Sequence, residues 1–238
     1  ADDGRPHRSH NEGTMHACGH DGHTATLLAV LGVLARHRDA WPGTVVAFFQ
    51  PAEEGGGGAL KMIEEGVLER FAPDRCLGLH YWSFAPVGEV GVRPGPVMAS
   101  VDEFHLTIHG KGGHAAMPHQ ATDALVCAAH VVTALQTVVS RRADPLQPAV
   151  VTVGELHAGN RFNIIAEDAR MAGTVRTYDP ELWDAMPGHV EGIVAGVCRA
   201  QGCSYELDYR RLDGPTINDP EVTAVVRDAA IEVVGEGA

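Results

Sequence analysis

Histidines and a cysteine cluster near the start of the chain: His16, Cys18, His20 and His23 fall within eight residues. In an extended loop, Cys18 and His20 are two positions apart and project to the same side. A thiolate and an imidazole suit a borderline-soft divalent ion such as zinc, and in part nickel, cobalt or manganese. Asp21 and His23 are placed to orient such ligands from outside. The alternative is a buried cysteine among loop histidines, and this cluster alone does not decide between the two.

Two further candidate sites follow short apolar runs. Glu53 and Glu54 come after the run 44–49, and His80 ends the run 75–80. If both runs are strands of a parallel sheet, their carboxyl ends meet at the edge where open α/β sheets bind ligands. Adjacent side chains diverge, so one glutamate can bind a metal while the other acts as a general base, as metal-assisted hydrolysis requires. Taken singly, the glutamates also fit a solvated acidic turn, and the histidine a rim position. Together the sites predict a metal centre formed by Cys18, His20, Glu54 and His80.

The elements that must position these residues follow from hydrophobic periodicity. A helix is predicted over 24–37, and a strand, a helix and a strand over 44–49, 59–67 and 75–80, which is a βαβ unit. Between 101 and 211, half-polar strands and two long helices follow in the order β-α-β-β-α-β, a ferredoxin-like arrangement. We therefore predict an α/β fold, with a parallel-sheet domain formed by 1–100 and 212–238 and an inserted α+β domain formed by 101–211.

The composition excludes several classes of protein. The 238 residues carry 18 lysines and arginines against 31 acidic residues, a net charge of −13, so no basic stripe for nucleic acid is expected. An apolar share of 45% excludes disorder. The longest apolar run, 27–35, is shorter than the ~20 residues of a membrane span, so none is expected. Five scattered cysteines are no disulfide framework and favour a reducing cytoplasm.

Longer motifs resemble one known family. They are Met-His-Ala-Cys-Gly-His-Asp-Gly-His-Thr at 15–24, Phe-Gln-Pro-Ala-Glu-Glu at 49–54 before four glycines, Gly-Leu-His at 78–80, Gly-Lys-Gly-Gly-His-Ala-Ala-Met-Pro-His at 110–119 and Gly-Thr-Val-Arg-Thr at 173–177. The chain resembles peptidase family M20, in the branch of amidohydrolases that includes hippurate hydrolase, N-acyl-L-amino-acid amidohydrolase and the auxin-conjugate hydrolases.

The resemblance implies a role for each motif residue. Cys18, His20, Glu54 and His80 would bind two divalent ions (zinc, manganese, cobalt or nickel), with Cys18 as the bridge. Glu53 would be the general base. The inserted domain would be a dimerisation lid whose His114 reaches the partner subunit's site, while Asn163 and Arg176 would hold the substrate carboxylate. Without the resemblance, His114 fits an exposed turn residue, Asn163 a turn support and Arg176 a surface ion pair.

The resemblance thus predicts a homodimeric, metal-dependent amidohydrolase that cleaves N-acyl amino acids such as hippurate, and the cysteine usage places it in the cytoplasm. It also implies an upstream aspartate-rich strand and a late histidine ligand, and neither lies within 1–238. We therefore expect an incomplete catalytic domain that binds metal weakly and shows little hydrolase activity. The alternatives are a catalytically inactive chain that serves as a dimerising interaction protein, and a histidine-rich metal-storage module. The buried-strand pattern and the Glu53–Glu54 pair disfavour the storage module.

Overall fold

The computed structural model describes residues 8–236, and its contacts divide the chain into two compact units. One comprises Ala1–Val90 with Val233–Ala238, and the other Gly91–Glu232. These boundaries lie outside those of the predicted inserted domain, 101–211, so more of the chain groups with it. The parts of the predicted catalytic domain at 1–7 and 237–238 lie outside the described residues.

The first unit contains short helices joined by long irregular segments. They are α1 (His20–Arg36), a 3-10 turn (Arg38–Ala40), α2 (Gly58–Glu64) and α3 (Val67–Phe71). The first helix begins four residues before the predicted position, so it includes His20 and His23. The single helix predicted over 59–67 is instead two, because Gly66 adopts a left-handed conformation with φ of 81° between them.

The two runs predicted as buried strands do not form a sheet. Residues 44–49 and 75–80 have no ladder partner, and every strand pair within residues 8–236 is antiparallel. A strand is stable only when a neighbouring strand satisfies its N–H and C=O groups. These two runs are not paired with each other, and the predicted parallel sheet is not found in this part of the chain.

The second unit is built on an antiparallel sheet. Its elements are β1 (Gly95–Met98), β2 (Val101–His109), β3 (Gly113–His114), α4 (Ala124–Thr137), β4 (Ala149–Ala158), β5 (Ile164–Ile165), β6 (Asp168–Thr177), α5 (Pro180–Gln201), β7 (Ser204–Asp213), β8 (Thr216–Asn218) and α6 (Pro220–Val234). The four long strands lie in the order β4-β6-β2-β7, while β1 pairs with β8 and β3 with β5. The order β2-α4-β4-β6-α5-β7 is the one expected for 101–211.

Strand alternation and helical spacing build one core in this unit. Phe104, Leu106 and Ile108 alternate along β2 and are buried, as are Val131 and Leu135 of α4. The buried face of α5 repeats every four residues: Leu182, Met186, Val190, Val194 and Cys198. Two-residue and four-residue repeats thus place one apolar face of each element toward the others.

A carboxylate is buried beside this core. Asp102 is fully buried, and its Oδ1 accepts a hydrogen bond from Trp183 Nε1 at 2.7 Å. Its Oδ2 accepts one from the Tyr209 hydroxyl, also at 2.7 Å. Burial and this hydrogen bond raise the pKa of Tyr209. Both carboxylate oxygens therefore have a donor, which offsets the cost of burying the group.

The helical stretch 124–142 passes the length and composition test for a membrane-crossing helix. The expectation from uninterrupted apolar runs missed it, because isolated polar residues interrupt an otherwise apolar stretch. Five α4 residues, Ala124, Cys127, Ala128, Val131 and Leu135, are buried in the core just described. Packing on the sheet accounts for the buried third of this stretch.

Candidate metal centre

Five potential metal ligands of the first unit converge into two overlapping groups. The ligand atoms of Cys18, His20 and His80 lie within 4.8 Å of one another, and so do those of His20, Glu53 and Glu54. His20 belongs to both groups, with a thiol and an imidazole on one side and two carboxylates on the other. Thiolate, imidazole and carboxylate are the ligands of zinc and similar divalent ions. The residues present therefore fit a divalent metal centre.

The turn before α1 sets Cys18 and His20. Gly19 between them adopts a left-handed conformation with φ of 79°, and His20 is the first residue of the helix. The predicted extended loop is therefore a sharp turn into a helix. Both side chains are half-buried, and His16 is exposed.

A tight turn brings the two glutamates to His20. Ala52 has a left-handed φ of 49°, and Gly58 N–H donates to the Ala52 carbonyl at 3.3 Å. A Cβ at Gly58 would lie 1.6 Å from the Pro51 carbonyl oxygen, so only glycine allows this approach. Glu53 Oε2 lies 3.4 Å from His20 Nε2. The expected divergence of the two glutamates is not observed, because the turn places both carboxylates within reach of the same imidazole.

Hydrogen bonding of the His80 ring determines which of its two nitrogens faces the metal centre. Its Nδ1 lies 2.6 Å from the Tyr81 carbonyl oxygen, and its Nε2 lies 3.4 Å from Cys18 Sγ. A carbonyl oxygen only accepts, so Nδ1 carries the proton and donates to it. The Nε2 lone pair is then free for a metal, which is the usual arrangement of histidine ligands.

His23 lies beside the ligands and binds backbone. Its Nε2 accepts a hydrogen bond from Tyr81 N–H at 3.0 Å, and its ring centroid lies 4.5 Å from that of His80. Burial and the nearby His80 and His20 lower the pKa of His23. The neutral ring is thus an acceptor that holds the segment after His80.

The remaining predicted site residues lie in the second unit. His114 and Asn163 meet at the β3–β5 ribbon, where Ala115 N–H donates to the Asn163 carbonyl at 3.1 Å, and both residues are exposed. Arg176 lies in β6, where its Nη1 donates to the Asp102 and Val175 carbonyls at 3.3 and 3.0 Å. The structure thus brings His114 and Asn163 together and anchors Arg176 on backbone oxygens.

Two features of the centre were missed in the sequence. Glu53 is within ligand reach of His20, and Tyr81 contacts the residues at 19, 22, 23 and 26. Positions 19, 22, 23 and 26 are separated by three or four residues, which is typical of one helix face. This spacing could have indicated the contact with Tyr81 if α1 had been predicted to begin at His20.

Comparison with known proteins agrees with the motif resemblance. The model of peptidase family M20/M25/M40 matches residues 1–238. The chain belongs to this family. Among its relatives, N-acetyl-L-cysteine deacetylase of Bacillus subtilis is 41% identical over 95% of the chain and 54% of the relative. N-acyl-L-amino acid amidohydrolase of Geobacillus stearothermophilus is 44% identical over 90% of the chain and 57% of the relative.

A solved structure of the M20 family also matches. The crystal structure of a Bacillus subtilis protein, described as a dinuclear metal-binding peptidase from the M20 family, has a TM-score of 0.76 and 33% identity. The match covers 97% of this M20 chain and 58% of that protein. The chain thus spans little more than half the length of the relatives it matches.

Proposed function

We propose that this M20 family chain hydrolyses the amide bond of N-acyl amino acids at a dinuclear centre held by Cys18, His20, Glu54 and His80. The observation that carries the proposal is the pair of ligand groups that share His20. The names of the two relatives, a deacetylase of an N-acetyl amino acid and an amidohydrolase of N-acyl amino acids, support this class of substrate. Zinc, manganese, cobalt and nickel all suit the ligands, and the cytoplasm suits a free thiol.

The proposed general base is Glu53. Its side chain is 57% exposed and its Oε2 is 3.4 Å from His20 Nε2, so it borders the ligands while remaining open to water and substrate. The carboxylate takes a proton from the attacking water and returns it to the amine that leaves. Divalent ions held by Cys18, His20, Glu54 and His80 would supply the Lewis acidity that polarises the amide carbonyl.

The substrate's carboxylate is assigned to Asn163 and Arg176, which suits N-acyl amino acids, hippurate included. Arg176 is a fixed guanidinium, because its Nη1 binds two carbonyl oxygens, and guanidinium groups match carboxylate geometry. His114 is assigned to polarising the scissile carbonyl in the partner subunit of a homodimer. Such a dimer is supported by the strand order, in which β4 and β7 are the outer strands of the four-stranded sheet in residues 8–236, since an outer strand without a ladder partner can pair with another chain.

The substitution Glu53→Gln tests the assignment in the natural full-length protein. The amide keeps the shape of the side chain but accepts no proton, so turnover of N-acetyl-L-cysteine and hippurate should fall at least ~10²-fold. Metal content, measured by elemental analysis, should stay at the wild-type value. Glu54→Gln is the matched control, because loss of a ligand should lower metal content and turnover together.

Two results would contradict these roles. Ordinary turnover by Glu53→Gln on both substrates would place the general base elsewhere. A loss of metal from Glu53→Gln as large as that from Glu54→Gln would make Glu53 a ligand.

A further inference from the structure

The side chain of Tyr81 packs on one face of α1, at the start of the helix, and this face is called its seat below. Gly19, Gly22, His23 and Thr26 are three or four residues apart, so they lie on the same side of the helix start. The Tyr81 hydroxyl is 2.5 Å from Thr26 Oγ1, and the Tyr81 N–H donates to His23 Nε2 at 3.0 Å. A Cβ at Gly22 would lie 2.4 Å from Tyr81 Cε2, so the ring rests directly on the glycine.

Tyr81 is linked to the metal centre through the preceding residue, His80. The Tyr81 carbonyl accepts from His80 Nδ1 at 2.6 Å, which leaves His80 Nε2 facing Cys18 Sγ at 3.4 Å. Cys18 directly precedes the turn into α1. The start of α1 therefore holds both partners of this contact, Cys18 through the chain and His80 through Tyr81.

We propose that Tyr81, seated on Gly22, His23 and Thr26, is a positioning residue that fixes the location and tautomer of His80 for metal binding. This inference rests on the metal centre proposed above and assigns a role to side chains that do not bind the metal themselves. Tyr81 contributes two backbone contacts and one hydroxyl contact while the residue as a whole stays 47% exposed. Such exposure limits what its burial adds to stability.

The test is cobalt binding by the purified 238-residue chain with Gly22→Ala and Gly32→Ala. Both substitutions replace a glycine within α1 by a better helix former. A Cβ at Gly32 would approach only Arg36 Nη1, at 3.9 Å, whereas a Cβ at Gly22 displaces the Tyr81 ring. We expect Gly22→Ala to weaken the affinity for Co²⁺ ~10–100-fold, as for other residues that orient ligands. It should also shift the visible absorption bands of the bound ion, while Gly32→Ala leaves both as in the wild type.

A second pair of variants separates the His23 contact from folding. The amide oxygen of His23→Gln can still accept from the Tyr81 N–H, whereas His23→Leu cannot. We expect His23→Gln to keep most of the Co²⁺ affinity and the absorption bands, and His23→Leu to lose affinity. Circular dichroism of each variant reports whether the helix content of the wild type is kept.

The outcomes separate this inference from the proposed centre. Equal Co²⁺ affinity and bands in Gly22→Ala and Gly32→Ala, with both folded, would overturn the role of Tyr81 and leave the centre intact. Should Gly22→Ala fail to fold, equal behaviour of His23→Gln and His23→Leu would overturn it instead. A wild-type chain whose bound Co²⁺ lacks a thiolate charge-transfer band would overturn the centre and this inference together.

Discussion

His80 illustrates how a single residue is prepared for metal binding by its local contacts. The Tyr81 carbonyl takes the proton of Nδ1, so Nε2 faces Cys18 as an acceptor. The sequence predicts His80 as a ligand from its residue type and its place after an apolar run. The sequence does not predict which ring nitrogen of His80 faces the metal centre. That choice depends on the position of Tyr81, whose N–H is bound by His23, 58 positions away.

Tyr209 provides a test of the buried carboxylate in the second unit. Tyr209→Phe removes one of the two side-chain donors to Asp102, which is fully buried. Hydrogen bonds to charged groups contribute ~1.5–3 kcal/mol. We expect the free energy of unfolding, measured by urea denaturation, to fall by about that amount. Tyr205→Phe is the control: this tyrosine lies in the same strand, and no side-chain hydrogen bond of its hydroxyl is found in residues 8–236. Equal losses in the two variants would contradict a stabilising role of the Asp102 contact.

Among the elements, the β3–β5 ribbon contains one proposed site residue, His114, and adjoins another, Asn163. The ribbon holds Gly113 opposite Ile165 and His114 opposite Ile164, with Asn163 adjoining it. Strands of two residues have no readable alternation, so they could not be predicted. The four longer strands could, because Phe104, Leu106 and Ile108 alternate with polar residues.

The runs 44–49 and 75–80 show what the pattern of apolar residues alone does not predict. Their apolar residues predict buried strands, but pairing is a property of two segments and cannot be read from one. The predicted start of α1 was closer to the observed one: the helix begins at His20, four residues before the predicted position. The site residues on these segments were nevertheless brought together, because turns at Gly19 and Ala52 do the positioning that was assigned to strand ends.

The ribbon makes a prediction for the proposed dimer. If His114 serves the partner's centre, a natural full-length protein carrying His114→Ala and one carrying Glu53→Gln should each be nearly inactive. A mixed dimer retains one centre with both residues, so mixing the two proteins under conditions of subunit exchange should restore part of the activity. Lack of recovery, with exchange demonstrated by mass spectrometry, would place His114 outside the partner's site.

For the whole molecule, burial is distributed unevenly. Within residues 8–236, every buried hydrophobic residue lies between Phe104 and Cys198, and α1 has no buried residue. Large apolar residues of the first unit are exposed instead, Leu77 at 74% and Phe84 at 80%. Segments with few buried apolar contacts open locally at low free energy.

Hydrogen exchange followed by mass spectrometry measures this difference. In the 238-residue chain, amides of α1 should exchange much faster than those of β2 and β6, which lie in the interior of the sheet. Addition of Zn²⁺ should slow exchange at α1 and leave β2 unchanged, because metal binding stabilises the state that binds it. Equal protection of α1 and β2 without metal would contradict this distribution of stability.

Binding of divalent metal by Cys18, His20, Glu54 and His80 can be measured as the metal content of the chain. The wild-type chain and Cys18→Ala are dialysed to equilibrium against the same Zn²⁺ solution and analysed for bound metal by elemental analysis. The Cys18 thiol lies in a ligand group with His20 and His80, so its removal should lower the amount of zinc bound per chain. The control is Cys76→Ala, which removes an exposed thiol outside the ligand groups and should leave the zinc content unchanged. Equal zinc content in the wild type and Cys18→Ala would show that zinc is not bound at this centre.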